Sequence, residues 1–113
     1  MEVSTANLTA YEGALPDDAR IKRKRMFGSP CAFVNRQMFF GTFEQSIVAR
    51  VGTRRAAALA GQPGMQLFSP AEGTVWDDYV QLELPVDAEL LAKLAGEALV
   101  WAAALPKNAK ARR

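Results

Sequence analysis

The sequence predicts an α+β domain: a two-layer α-β(3)-α-β(2)-α arrangement, with one antiparallel sheet and the helices mainly on one of its faces. Three observations predict it. Residues 23–51 hold three strand-like runs separated by short turns. Residues 74–84 alternate apolar and polar, the pattern of a half-buried antiparallel strand. Residues 87–105 carry a broad apolar stripe at helical spacing. A chain of 113 residues forms one domain. That domain is read over 1–106, with 107–113 a basic tail expected to be disordered.

The first helix is expected to begin at Ser4, a favoured N-cap, and to run through Leu8, Tyr11 and Leu15. Pro16 stops it, because the residue before a proline avoids helical backbone angles. One long strand is expected from Arg23 to Val34, bent where Gly28 and Pro30 interrupt it. Asn35-Arg36 is the turn, either a two-residue type I′ or, since glycine suits its second position better than arginine, a longer one. Gln37 to Phe43 is the second strand and Ser46 to Val51 the third, with Glu44-Gln45 between them. Alternation places Phe39, Gly41 and Phe43 on one face and Met38 and Phe40 on the other. An apolar second face would form a patch marking an interface, so Met38 and Phe40 are the candidate interface residues.

Thr53 is the expected cap of a short helix ending at Gly61. Met65 to Phe68 is a strand, Ser69 to Gly73 a turn, and Thr74 to Leu84 the last strand. Trp76, Val80, Leu82 and Leu84 should share one face of it. Asp87 caps the final helix, whose stripe is Leu90, Leu91, Leu94, Ala98, Trp101, Ala102 and Leu105, and Pro106 closes it. Gly96, inside it, suggests close approach to the sheet.

Composition narrows the chemistry. There is no histidine, so nucleophile systems needing an imidazole base are excluded, as are histidine metal sites. The single cysteine, Cys31, makes no internal disulfide and no zinc site; it reads as a small buried hydrophobe rather than a reactive thiol. Asp77-Asp78 with Glu72 could suggest a metal or acid/base pair, but neighbours on a strand point to opposite faces, so solvated charges are expected. The two tryptophans and six phenylalanines are assigned to the core. No signal peptide and no membrane-spanning run is read, which points to a cytoplasmic protein that does not engage a membrane. No cofactor, metal or catalytic constellation is expected, and the chain is read as a non-enzyme.

Net charge is +2, but its placement is uneven. Residues 20–25 carry five basic groups and residues 107–113 four, while the body between them is mildly acidic. Lys22, Arg23, Lys24 and Arg25 are therefore candidate nucleic-acid contacts, weighed against charges that merely protect an edge strand.

The stretch Lys24-Arg25-Met26-Phe27-Gly28, continued by Ser29-Pro30-Cys31-Ala32-Phe33-Val34-Asn35, resembles the opening strand of the N-terminal domain of the TfoX/Sxy competence-regulator family. Met38-Phe39-Phe40-Gly41, Val48-Ala49-Arg50-Val51, Phe68-Ser69-Pro70 and the Tyr79-to-Pro85 stretch are similar in order and spacing. The chain departs from the pattern where Thr74 follows Gly73 and where Asn35-Arg36 replaces Asn-Gly. The resemblance implies a stand-alone bacterial member without the family's helical second domain, and a fold like that of secretion chaperones. It implies a regulatory domain acting through a protein partner or self-association. The alternative is a nucleic-acid-associated domain using the two basic ends.

Overall fold

A computed structural model describes residues 5–26, 29–43, 46–83 and 86–105. Its order is α1 (Thr5–Ala14), β1 (Lys22–Met26), β2 (Ser29–Val34), β3 (Gln37–Phe43), β4 (Ser46–Arg50), α2 (Thr53–Ala60), β5 (Met65–Ala71), β6 (Thr74–Glu83) and α3 (Ala88–Ala103). All six strands form one antiparallel sheet in the order β1-β2-β3-β4-β6-β5. The α+β class stands, with one strand more than expected.

The extra strand comes from 22–34, which is a hairpin and not one bent strand. Met26 pairs with Ser29 and Lys22 with Phe33, so the chain reverses within two residues. A bulge and a tight reversal both use glycine and proline, and the sequence signal does not separate them. Residues 27 and 28, the Ser4 cap, the turn at 44–45, Leu84, Pro85 and the 107–113 tail lie outside the described residues.

The Asn35-Arg36 turn takes the tight form. Both residues have positive φ, 54° and 64°, as a type I′ turn requires. Asn35 Nδ2 donates to the carbonyl of Leu105, and at 3.4 Å to that of Ala102, which also accepts from Leu105 N at 3.2 Å. At α2, Gly52 (φ 93°) is the N-cap and Thr53 the first helical residue, with no side-chain cap. Asp87 does cap α3, accepting from the Leu90 N–H at 3.0 Å.

β5 runs to Ala71, three residues further than expected. Ser69 Oγ bonds the carbonyls of Ala71 (3.0 Å) and Thr74 (2.6 Å), and the reversal narrows to Glu72-Gly73. β5 is an edge strand, where Pro70 withholds no needed donor.

Two irregularities decide which side chains face the helices. Ala32 pairs with Phe40 but Phe33 with Met38, so β3 takes two steps for one of β2. Phe39 is the extra residue, and both Phe39 and Phe40 join the helix-side core. Between β5 and β6 the register passes from Leu67↔Val80 to Phe68↔Trp76. That shift puts Trp76 with Tyr79, away from Val80 and Leu82, correcting the simple alternation.

The main core joins all three helices to one face of the sheet through Tyr11, Phe39, Phe40, Ile47, Leu59, Val80, Leu82, Leu91, Leu94 and their neighbours. Each fully buried side chain of this size contributes about 1.5–3 kcal/mol. Tyr11 stacks on Phe40 with ring centres 5.8 Å apart, and burial pushes its hydroxyl up to about 12. The second face holds a smaller cluster of Cys31, Met38, Val48, Phe68 and Tyr79, with Phe33, Phe43 and Trp76 against it. Among the described residues no helix contributes to it. Edge-to-face rings close it instead: Phe68 meets Phe43 at 5.0 Å and Trp76 at 5.3 Å.

α3 is rotated from its expected stripe. Leu91, Leu94, Ala95, Ala98, Leu99 and Ala102 are buried, while Trp101 is 43% exposed and Val100 71%. Gly96 does not meet the sheet, since a Cβ there would touch nothing within 4 Å. Among the described residues no helix is long and apolar enough to cross a membrane.

Candidate functional site

The basic segment is the edge strand β1, and pleating divides it. Lys22 and Lys24 pair with Phe33 and Cys31, while Arg23 and Arg25 pair with Ala32 and Pro30. Arg23 turns to α1 and binds Glu12. Lys22 and Lys24 stand on the other side with Arg20, Phe33, Asn35 and Arg36, around an open cleft of about 540 Å³. Lys24 Nζ lies 5.5 Å from the centre of the Phe33 ring.

Arg20 is paired with Asp18 at 2.9 Å through its guanidinium and also through its backbone N–H. Those hydrogen bonds, side chain first, draw the Asp18 carboxyl down to about 2. Lys22, Lys24 and Arg36 have no ion pair among the described residues. The sequence marked Lys22 and Lys24, within the basic segment 20–25 that also holds Arg20, but not Asn35, Arg36 or Phe33. Only the hairpin register brings the Asn35-Arg36 turn beside β1, and that register depended on seeing two strands in 22–34.

A second exposed feature is apolar. Val51, Gly96, Val100 and Trp101, with Glu97, line a shallow groove beside the start of α2. Trp101 lies against Gly52: a Cβ there would stand 3.1 Å from the indole ring, and φ 93° also favours glycine. Arg55 of α2 holds Glu97 of α3 at 3.0 and 3.3 Å, setting one rim. The assignment of both tryptophans to the core therefore fails for Trp101.

Met38 and Phe40 do not form an exposed interface. Met38 is 4% exposed on the second face and Phe40 fully buried under the helices. The bulge at Phe39 separates them, and the aromatic cluster covers the face that seemed open.

The aspartates also differ from expectation. Asp77 is exposed, but Asp78 is buried and accepts from Arg50 Nε at 2.7 Å. Arg50 Nη1 donates to Gln37 Oε1 at 2.9 Å, and its guanidinium lies 5.6 Å from the Tyr79 ring centre. Tyr79 donates its hydroxyl to the Met38 carbonyl at 2.7 Å. The Asp78 carbonyl accepts from Val51 N and Gly52 N, at 3.0 and 3.1 Å. Burial outweighs Arg50 and pushes the Asp78 carboxyl above its usual range. This network ties β3, β4 and β6 together beneath the aromatic cluster. Among the described residues no group of three or more metal-ligating side chains converges. Cys31 is 1% exposed, its thiol 3.9 Å from the Thr42 carbonyl.

No family model, no curated protein and no solved structure matches this chain.

Proposed function

We propose that the chain is a non-enzymatic regulatory domain that works by binding another protein. The observation that carries this reading is the adjacent exposed pair Val100 and Trp101 beside Val51. Large apolar side chains grouped at a surface groove favour a partner over water. Tryptophan is a frequent anchor of such contacts, and Trp101 is already oriented by its seat on Gly52. The resemblance to competence regulators and the lack of histidine point the same way. In this reading the interface moves from the second face of the sheet to the end of α3.

The test is a photo-crosslinking amino acid at position 100, with a control at the exposed Ala58 of α2. Irradiation in living cells is expected to join position 100, and not 58, to a discrete protein or a second copy of this chain. Equal crosslinking from both positions, or none from 100, rejects the groove as the interface.

A further inference from the structure

We propose that the cleft of Lys22, Lys24, Phe33, Asn35 and Arg36 binds single-stranded nucleic acid. This is a second activity, independent of the protein-binding groove. Charges that only guard an edge strand need not converge with charges from elsewhere. Here Arg20 comes from the loop before β1, Lys22 and Lys24 from β1, and Arg36 from the β2–β3 turn, and all line one cleft.

Arg36 is the telling residue. It holds φ 64° at a turn position where glycine is unstrained. Strain retained at a position that delivers a cation into a cleft is the pattern of a functional site. Beside it, Asn35 fastens the Leu105 carbonyl. The chain therefore leaves α3 next to the cleft, and the residues that follow include Lys107, Lys110, Arg112 and Arg113.

The chemistry favours a single strand. Lys22 and Lys24 are two residues apart on one strand face, about 6.6 Å along it, a spacing suited to successive phosphates of an extended chain. Phe33 supplies a partly exposed ring between the cations, on which a base can stack once Lys24 turns to a phosphate. Proteins that read a duplex usually insert a helix or ribbon into a groove, whereas these cations line a cleft of the protein itself. An acidic protein segment would satisfy the charges but leave the ring without a stacking partner.

The experiment is fluorescence anisotropy of a labelled twelve-residue oligothymidylate with the full chain, titrated with potassium chloride. Binding at low salt is expected, with a log–log salt slope of about −2 or steeper from the three cleft cations that have no ion pair among the described residues. Lys22→Glu with Lys24→Glu should weaken binding at least tenfold and flatten the slope by about 1.4. Arg36→Gly, which the turn accepts, should weaken binding while leaving the melting temperature unchanged or higher. Phe33→Leu should lower affinity for the oligonucleotide without changing the salt slope. No binding at low salt, or unchanged affinity in the Lys22→Glu/Lys24→Glu and Arg36→Gly variants, overturns the proposal. Equal affinity for a duplex of the same length overturns the single-strand assignment. Polyglutamate competing as well as unlabelled oligothymidylate would instead give the cleft to an acidic protein.

Discussion

Arg50 and Asp78 show what a single buried pair asks of a small fold. Arg50 is 4% exposed and spends its donors on Asp78 and Gln37. Removing one partner of such a pair leaves a buried charge uncompensated, at about 3–5 kcal/mol. Arg50→Met should therefore cost about that much at neutral pH, read by urea unfolding. The loss should shrink as pH falls. A carboxyl raised above 3.8 in the folded state favours folding below that value and loses the advantage as pH rises through its folded pKa. With Arg50 gone the carboxyl moves higher still, so the variant should be relatively most stable near pH 4. A loss independent of pH would show that Asp78 does not carry the effect. Arg50→Met with Asp78→Leu should recover most of the stability, since apolar replacements of buried pairs are often neutral or better. Nothing in residues 77–78 announced this pairing, because adjacent aspartates near a strand end look solvated until the irregular β5–β6 register turns one inward.

Two glycines make a contrast at the same scale. A Cβ on Gly41 would meet Cys31 Sγ at 2.5 Å and Cys31 Cα at 3.0 Å, across paired strands. Gly41→Ala should destabilise by about 1–3 kcal/mol. Gly96 has open space, so Gly96→Ala should stabilise α3 by roughly 0.5–1 kcal/mol. Thermal melts of the two variants should move in opposite directions; a Gly96→Ala chain that melts lower would contradict the open geometry.

Among the elements, the β2–β3 turn and the end of α3 share a polar tie through Asn35, added to the core packing between them. Asn35 supplies both the positive φ of the turn and a donor to carbonyls at the helix end. Asn35→Gly keeps the first role and loses the second, an expected cost of about 1 kcal/mol. Asn35→Ala loses both and should cost about 1–2 kcal/mol more, the penalty of a left-handed backbone. Equal melting temperatures for the two variants would mean that the turn strain is absorbed elsewhere. The elements differed in how plainly the sequence announced them. β3 and the cap of α3 were legible because an apolar run between turns and an Asp before a long apolar run each have one reading, although the faces of β3 did not follow alternation. The β1–β2 hairpin was not, since the sequence sets no polar gap between the paired Met26 and Ser29. The face of α3 was not legible either. Apolar residues occupy 90, 91, 94, 95 and 98–102, nearly all around the helix, so periodicity could not choose between Leu99 and Trp101.

On the scale of the whole molecule, the end of α3 serves two surfaces. Trp101 leans on Gly52 and lines the apolar groove, while the carbonyls of Ala102 and Leu105 are held by Asn35 at the basic cleft. The candidate sites were only half legible for this reason. Lys22 and Lys24 stand in a visible charge run, whereas the cleft's other half depends on the β1–β2 and β2–β3 reversals, and the groove on contacts between residues more than 40 positions apart. Each surface has its own residues, so mutation should separate them. Val100→Glu places a charge in the groove without touching a cleft residue. It should abolish crosslinking, read from a probe at position 97, and leave oligothymidylate affinity within twofold of the parent. Lys22→Glu with Lys24→Glu should do the reverse. If Val100→Glu weakens oligonucleotide binding tenfold while the melting temperature holds, the two surfaces are one, and the α3 terminus transmits between them. That outcome would point to Asn35 as the link, because it is the side chain that joins the helix end to the turn carrying Arg36.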